Sequence, residues 1–422
     1  MQALLLRSFA VALVWAAAVA LAGEVPGTAL ERLFTGVGED EVLASGSDRQ
    51  ILEEVLARLD VPIASQVLVY SKTSAQNSRI APETPRAIYF SDDFYVGWVQ
   101  GGDIEVASFD AEDGMAFELV ELTSRLHNRP PGIVREKACM NCHGGISGRE
   151  TPVLLVRSVY PSSSGLPLYE AGTFHTRQSS PIAERWGGWY VTGQVDGQSH
   201  LGNALFQVDP ESGEVNARVL ADEAPATLDD LFSGEAYLHG AKSDVVALMV
   251  LEHQVGVHNA LTEAYLSTRA TLQRHASMRR AFDEPIDSPL SDTDARILDR
   301  LATRVLHEML YVEEIEVPGG INGGGAFEEA FTKKRRKSAE GRSLRDFRLY
   351  ERLMKHRCSH LIYSEFFDQL PDAVRDRILD QLHGILTEPN AWPDFAHLGN
   401  SERPQILAIV RETVPRLPAS WK

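Results

Sequence analysis

Residues 87–122 read AIYFSDDFYVGWVQGGDIEVASFDAEDGMAFELVEL, and they determine the fold class of the first half of the chain. Short runs rich in aromatic and β-branched residues are separated here by Gly, Asp and Ser, a pattern typical of strands and turns. The runs lie too close together for the long crossovers that parallel strands need. An antiparallel sheet is therefore predicted, with strands at 66–70, 87–90, 94–99, 104–108 and 116–122.

Helical patterns lie on both sides of this predicted sheet. Before it, Ser47 is placed to cap a helix whose apolar positions recur with the 3.6-residue period through 51–59. From about residue 243 onward, amphipathic helices are predicted at 244–269, 292–312 and 372–386. The fold class predicted is α+β, with a sheet-rich part at 23–235 followed by a mainly helical part at 236–422. The two parts form separate domains or share one core.

The run Cys139-Met140-Asn141-Cys142-His143 follows the predicted sheet and carries the clearest chemistry in the chain. The spacing C-x-x-C-H is that of a covalent c-type haem attachment site. On a helical turn, side chains at i, i+3 and i+4 share one face, so two thiols and one imidazole converge on a single flat ligand. Cys139 and Cys142 are predicted to form thioethers to one haem c. His143 is predicted to be the proximal iron ligand.

Two other interpretations of this motif were weighed. A structural zinc site needs four ligands and usually a second paired motif, and the sequence has no second C-x-x-C. A thioredoxin-like dithiol does not explain the adjoining histidine. The third cysteine, Cys358, is expected to be buried and inert, with an axial thiolate as the alternative.

The N-terminus predicts export. Arg7 precedes an apolar run from Phe9 to Ala20, and Ala20-Leu21-Ala22 supplies the small-x-small pattern of a signal-peptidase site. Residues 1–22 are therefore predicted to be a signal peptide. No later segment is long and apolar enough to cross a bilayer. We expect a soluble periplasmic protein without membrane insertion.

Composition and charge restrict the classes of partner that the chain is expected to bind. The chain is 44% hydrophobic and 24% charged, close to ordinary globular proteins and unlike disordered ones. Its formal net charge of −18 disfavours binding to nucleic acid or anionic lipid, so other redox proteins are the expected partners. The one basic cluster, residues 333–337, is typical of a solvated surface, with a docking patch for an acidic partner as the alternative.

The second axial ligand decides whether such an iron only passes electrons or also binds a small molecule. His253 lies on the apolar stripe of the helix after residue 243 together with Met249, and it is the first candidate distal ligand. His175 and His200 lie closer to the motif in sequence and are the alternatives. A histidine on an apolar stripe also occurs as a hydrogen-bonded core residue.

The segment 184–190, ERWGGWY, is dense in aromatic residues and glycines. Arginine pairs with carboxylates through two parallel hydrogen bonds, so Arg185 is the first candidate partner for a haem propionate. Arg157 and Arg177 are weaker candidates. The structural alternative is that the tryptophans fill a core while the glycines form a tight turn.

The motif at 139–143 matches the attachment motif of c-type cytochromes. The longer run through 172–174 (GTF) and 184–193 (ERWGGWYVTG) resembles a group of uncharacterised, exported, single-haem proteins. The resemblance covers most of the mature chain and implies no established activity. It carries over the thioether cysteines Cys139 and Cys142 and the proximal His143. Unlike small class I cytochromes c, this chain has its motif deep in the sequence and no Met-Pro pair.

Three functional classes follow from these observations. The first is an electron-transfer protein with a six-coordinate, low-spin iron that does not bind carbon monoxide. The second is a haem enzyme, peroxidase-like or acting on another small molecule, with an open distal site. The third is a haem-based sensor of gas or redox state.

Overall fold

The computed structural model of the chain describes Leu30 and residues 41–129, 131–144, 151–195, 197–222 and 224–421. The predicted signal peptide at 1–22 lies outside the described residues. Within them, the fold is α+β, as the sequence predicts: an antiparallel sheet in the N-terminal part precedes a helical C-terminal part.

The main sheet has six strands in sequential order, each antiparallel to the next. The strands are β1 (Val67–Val69), β2 (Arg86–Phe90), β3 (Phe94–Trp98), β4 (Ile104–Asp110), β5 (Gly114–Val120) and β6 (Ile133–Arg135). Five of them confirm the predicted strands. The sixth was missed, because its three residues follow a Pro-Pro-Gly segment and are too few to show an alternating pattern.

Eight further strands are short and pair in twos. They are β7 (Arg157–Val159), β8 (Thr173–His175), β9 (Gln194–Val195), β10 (Ala204–Val208), β11 (Val215–Val219), β12 (Ile321–Asn322), β13 (Phe347–Tyr350) and β14 (Arg352–Met354). Within the apolar segment 153–160, only β7 is a strand. The segment 189–192 makes only isolated bridges.

The described α-helices vary widely in length. They are α1 (Glu41–Ser45), α2 (Asp48–Arg58), α3 (Met140–His143), α4 (Val245–Ala281), α5 (Asp292–Met309), α6 (Ala326–Lys333), α7 (Glu365–Asp368), α8 (Asp372–Thr387) and α9 (Glu402–Thr413). Helix α2 begins with the capping box that Ser47 and Gln50 form.

Helix α4 is the central element of the fold. It spans 37 residues, about 55 Å at 1.5 Å per residue, and is longer than predicted. The Asp244 carboxylate caps it by accepting a hydrogen bond from the Val246 N–H at 2.8 Å. Its first half is apolar on nearly every side and is buried, whereas its last turns carry Arg279 and Arg280. The helix is therefore a core element where it begins and a surface element where it ends.

The two faces of the main sheet pack against different parts of the chain. One face carries Leu68 and Tyr89, which belong to a hydrophobic cluster with Leu52 of α2. The other face carries Tyr95, which belongs to a larger cluster with Met249 of α4 and Ile378 of α8. This second cluster includes residues from both sides of the predicted boundary at 235/236.

No helix of the described residues combines the length and the apolar character that a bilayer crossing requires.

Candidate functional site

The C-x-x-C-H motif forms a continuous helical turn directly after the sheet. Strand β6 leads into a 3-10 turn at Lys137–Cys139, and α3 continues it to His143. The Gly144 N–H donates to the Met140 carbonyl at 2.8 Å, which closes the turn. The structure therefore gives Cys139, Cys142 and His143 the helical spacing on which the prediction depends.

His143 is held in one orientation. Its Nδ1 lies 2.7 Å from the Val153 carbonyl oxygen, and its ring stacks on Phe117 at 4.3 Å between ring centroids. Because a carbonyl can only accept, Nδ1 carries the proton and Nε2 keeps its lone pair. Burial lowers the pKa of His143, which keeps the imidazole neutral. No described residue hydrogen bonds to Nε2. This is the state of a histidine prepared to bind a metal.

Both cysteines and His143 line one cavity. Its volume, including the solvent space of its open mouth, is about 1160 Å³. One side is the face of the main sheet, and another is helix α4, through Leu251 and Val255. The remaining apolar lining comes from Val69, Ile88, Leu154, Val156 and Trp189. Most of the lining is therefore apolar, and both cysteines and His143 lie at its edge.

A row of three residues across the sheet shapes this cavity. Tyr95 on β3 pairs in register with Ala107 on β4, which pairs with Phe117 on β5. All three line the cavity. With neighbouring strands about 4.8 Å apart, the backbones of Tyr95 and Phe117 are separated by roughly 10 Å. The small side chain of Ala107 leaves a gap between the two rings, and His143 lies against the Phe117 side of it.

Charged residues occupy the sheet side of the cavity. Arg86 forms an ion pair with Glu105, whose Oε1 also accepts hydrogen bonds from Ser74 Oγ at 2.9 Å and Gln76 Nε2 at 3.0 Å. Burial by itself would raise the pKa of Glu105, but the guanidinium and these donors outweigh it and hold the pKa below its usual value. Gly97 permits this arrangement, because a Cβ there would collide with the Arg86 guanidinium.

Two arginines of the lining have an N–H donor without an acceptor. The Nε atoms of Arg86 and Arg157 are buried, and neither has a hydrogen-bond partner among the described residues. A buried guanidinium N–H without an acceptor is costly, and a carboxylate is its natural partner. The guanidinium groups of Arg86 and Arg157 therefore place positive charge in the lining, which favours a ligand that carries carboxylates.

The alternative interpretations of the motif find no support in this geometry. Burial, followed by the carboxylates of Glu105 and Glu136, raises the pKa of the Cys139 thiol to about 11. Dithiol exchange depends on a lowered thiol pKa. In the part of the chain that the structure describes, no three His, Cys, Asp or Glu side chains are placed to hold a metal ion. Cys358 is fully buried away from the cavity lining, and burial raises its pKa to about 12.

The predicted distal ligand His253 belongs to the core instead. Its Nδ1 is 2.8 Å from Gln178 Oε1, its Nε2 is 2.9 Å from Ser359 Oγ, and its ring stacks on Tyr311 at 3.9 Å. With both nitrogens hydrogen-bonded, no lone pair remains for iron. Met249 is buried in the same core and does not line the cavity either.

The alternatives His175 and His200 are also placed elsewhere. His175 is exposed on β8, opposite Arg157. His200 accepts a hydrogen bond at Nδ1 from the Gly202 N–H at 3.0 Å and packs against Trp186. Every histidine of the chain, and every methionine after Met1, lies in the described residues. Of all these, only His143 lines the cavity.

Arg185, the predicted propionate partner, does not line this cavity. It is 1% exposed, and its three nitrogens bind the Ser180 carbonyl, the Gln178 carbonyl and the Glu252 carboxylate at 2.6–2.9 Å. Its role is a buried ion pair between the segment before β9 and helix α4. Of the weaker candidates, Arg157 lines the cavity and Arg177 does not.

The basic run 333–337 is largely engaged with neighbouring residues. Lys334 pairs with Asp60 at 2.6 Å, and Arg335 pairs with Asp346 at 3.0 Å. Lys333 pairs within its own helix, and Arg336 lies over the ring of Tyr363. These contacts favour the interpretation as an ordinary surface.

Sequence reasoning missed Tyr95, Arg86 and Glu105 as cavity residues. The available signal was charge within a strand: Arg86 and Glu105 interrupt otherwise apolar runs, and a charged residue inside a half-buried strand needs a partner.

Comparison of the chain with protein-family models, with curated proteins and with solved structures finds no match. The function is therefore proposed from the chemistry of the cavity.

Proposed function

We propose that this chain is a c-type haem protein that binds one haem covalently through Cys139 and Cys142, with His143 as the axial ligand. One observation carries the proposal: an imidazole with Nδ1 bonded to the Val153 carbonyl and Nε2 free lines the same apolar cavity as both cysteines. Both thiols and the imidazole of the C-x-x-C-H motif thus lie beside one cavity, which supports this proposal.

The residues of the cavity fit a haem in three respects. The two thiols lie at i and i+3 of one turn, as thioether formation requires. The guanidinium groups of Arg86 and Arg157, both in the lining, would pair with propionate carboxylates. The apolar part of the lining would pack against the porphyrin. When bound, the haem supplies one-electron chemistry and an iron that can hold a small ligand.

We further propose that the iron has an exchangeable sixth ligand, so that the protein binds or transforms a small molecule. The support is the placement of the candidate ligands: beside His143, no histidine or methionine of the described chain lines the cavity. An iron with one protein ligand keeps an open position. This reverses the order of preference that the sequence suggests, in which the six-coordinate electron carrier comes first.

Electron transfer with a partner redox protein is the second candidate function. The observation in its favour is that Cys142 is exposed and Met140 is 36% exposed, so one edge of an attached haem would lie near the surface. Short distance to the surface favours electron exchange between proteins. A periplasmic location fits both functions, because haem attachment to such motifs takes place outside the bacterial cytoplasm.

The attachment is tested by producing the full chain together with a haem-attachment system. After denaturation and acid extraction, the pigment should remain with the polypeptide, and intact mass should rise by that of one haem. The double variant Cys139→Ala/Cys142→Ala should lose the covalent pigment. Cys358→Ala, the matched control, should keep it. Pigment that passes entirely into the organic solvent from the unmodified chain would refute the proposal.

The state of the sixth position is tested by spectroscopy of the same protein. We expect a high-spin ferric spectrum and rapid binding of carbon monoxide after reduction. A low-spin ferric spectrum with no carbon monoxide binding would instead favour the electron carrier.

A further inference from the structure

The segment 152–154 connects the motif to helix α4 through hydrogen bonds on both of its sides. On the side of the motif, the Val153 N–H donates to the His143 carbonyl at 2.8 Å, and His143 Nδ1 donates to the Val153 carbonyl at 2.7 Å. Gly144 and Pro152 form an isolated antiparallel bridge beside this pair. The carbonyl that orients the predicted axial ligand therefore belongs to a segment ten positions further along the chain.

The other side of this segment is held by one side chain of α4. The Leu154 N–H donates to Asn259 Oδ1 at 2.7 Å, and Asn259 Nδ2 donates to the Leu154 carbonyl at 2.9 Å. Because a backbone N–H can only donate and a carbonyl can only accept, the two bonds fix the orientation of the side-chain amide. The amide takes the place of a neighbouring strand and satisfies both backbone groups of Leu154.

Asn259 lies on the face of α4 that borders the cavity. Leu251 and Val255 of the cavity lining precede it by eight and four positions, the spacing of one helix face. Ten residues of chain can span up to roughly 33 Å, so connectivity alone does not bring the Val153 carbonyl within hydrogen-bond distance of His143 Nδ1. The position of that carbonyl depends on what holds its segment, and the helix holds it through Asn259.

We propose that Asn259 is a positioning residue for the axial ligand: it holds Leu154, and through it the Val153 carbonyl against which His143 Nδ1–H is fixed. This inference rests on the proposed haem function and adds a residue that tunes the iron. A histidine whose Nδ1–H donates to a fixed acceptor is a more basic ligand at Nε2. Without Asn259, both backbone groups of Leu154 lose their partners, and the hydrogen bond at Nδ1 weakens.

The first test uses the full chain without haem, so that it does not depend on attachment. Nitrogen-15 NMR of labelled histidines reports which ring nitrogen carries the proton, and His143→Gln identifies the signals of His143. In the unmodified chain, the proton should lie on Nδ1. In Asn259→Ala, the ratio of the two ring forms should shift about 3- to 10-fold towards Nε2, the range that corresponds to loss of one neutral hydrogen bond.

The second test is the midpoint potential of the haem-loaded chain. A weaker hydrogen bond at Nδ1 makes His143 a poorer electron donor to the iron, which disfavours the ferric state. The midpoint potential of Asn259→Ala should therefore rise. A rise of up to about 59 mV corresponds to a tenfold change in the one-electron equilibrium.

Asn203→Ala is the matched control, because Asn203 makes the same pair of bonds elsewhere in the fold. The Val191 N–H donates to Asn203 Oδ1 at 2.8 Å, and Asn203 Nδ2 donates to the Val191 carbonyl at 2.8 Å. Neither residue lines the cavity. Asn203 also has a φ of +57°, which alanine disfavours, so its variant should lose at least as much unfolding free energy as Asn259→Ala. The ring form of His143 and the midpoint potential should stay unchanged.

The outcomes separate this inference from the haem proposal. If Asn259→Ala loses stability but keeps the ring form of His143 and the midpoint potential, Asn259 is only a structural residue, and the inference is refuted while the haem function stands. Equal changes in Asn259→Ala and Asn203→Ala also refute it, because the cause is then lost stability. Absence of covalent haem in the unmodified chain refutes the proposed function, and the NMR measurement still decides whether Asn259 positions His143.

Discussion

The cavity beside the motif and the core around helix α4 each contain a buried histidine, and the two differ in how their ring nitrogens are used. His253 in the core is hydrogen-bonded at both nitrogens and stacked on Tyr311. His143 at the cavity is bonded at Nδ1 alone. A core satisfies its polar atoms internally, whereas a binding site leaves some of them for a ligand. The residue type does not distinguish the two; the partners do.

Two arginines, one in the core and one at the cavity, differ in the same way in how many of their nitrogens have partners. All three guanidinium nitrogens of Arg185 have partners within the fold, including Glu252. Arg157 at the cavity has a buried Nε without a hydrogen-bond partner in the described part of the chain. We therefore expect substitutions in the core to change stability, and substitutions at the cavity to change the properties of the bound group.

The largest effect, on the free energy of unfolding, is expected for Arg185→Met. Removal of one member of a buried ion pair leaves the Glu252 carboxylate without its partner, which costs about 3–5 kcal/mol of unfolding free energy. Arg157→Met, the matched control at the cavity, should cost less than about 1 kcal/mol. Urea unfolding followed by circular dichroism measures both. Equal losses in the two variants would remove the distinction between core and cavity.

A smaller effect, on the pH dependence of the unfolding free energy, is expected for His253→Leu. Burial lowers the pKa of His253 to about 3, while an unfolded chain titrates near its ordinary value of about 6.5. The stability that this residue contributes is therefore present above about pH 6.5 and is lost as the pH falls towards 3. At about pH 4.5 the loss from His253 is about 3 kcal/mol.

The comparison to make is the drop in unfolding free energy between about pH 7 and about pH 4.5. It should be smaller in His253→Leu by that amount and unchanged in His127→Leu, a control at an exposed position. The haem spectrum of His253→Leu should equal that of the unmodified protein. A changed spectrum would indicate that His253 is an axial ligand.

The smallest effect is expected for Arg157→Met on the reduction potential. Loss of a positive charge beside the haem favours the oxidised, more positive iron, so the midpoint potential should fall. A fall of up to about 59 mV corresponds to a tenfold change in a one-electron equilibrium. Potentiometric titration measures it, with Arg177→Met as the control outside the cavity lining. A potential that is unchanged, or shifted equally in both variants, would argue against Arg157 as a propionate partner.

Much of the fold was predictable because it depends on local patterns. Five strands of the main sheet, the Ser47 cap and the helices at 292–309 and 372–387 follow from alternation, periodicity and turn residues. Strand β6 and the short paired strands were missed or misplaced, since two or three residues carry too little pattern. The segment 189–192 is apolar because it is buried, and its bridges depend on distant neighbours.

The candidate site also has a part that the sequence predicts and a part that it does not. Spacing along one helical turn predicts Cys139, Cys142 and His143, because the chemistry of the motif is local. The opposite side of the cavity depends on strand register and on α4, which sequence spacing does not reveal. Helical periodicity placed His253 on a buried stripe correctly, but burial alone does not say whether a side chain faces a cavity or the core. Tyr95 was missed for the same reason.

The position of Leu251 and Val255 in the cavity lining bears on the order of maturation. These residues lie more than a hundred positions after the motif in the chain, so in an exported protein of the kind we propose the motif would emerge well before α4 can pack against the sheet. A porphyrin would then be attached to a nascent, half-formed pocket and enclosed afterwards. Helix α4 would then cover the cavity late in folding. A chain that has folded before haem attachment would therefore bind haem slowly.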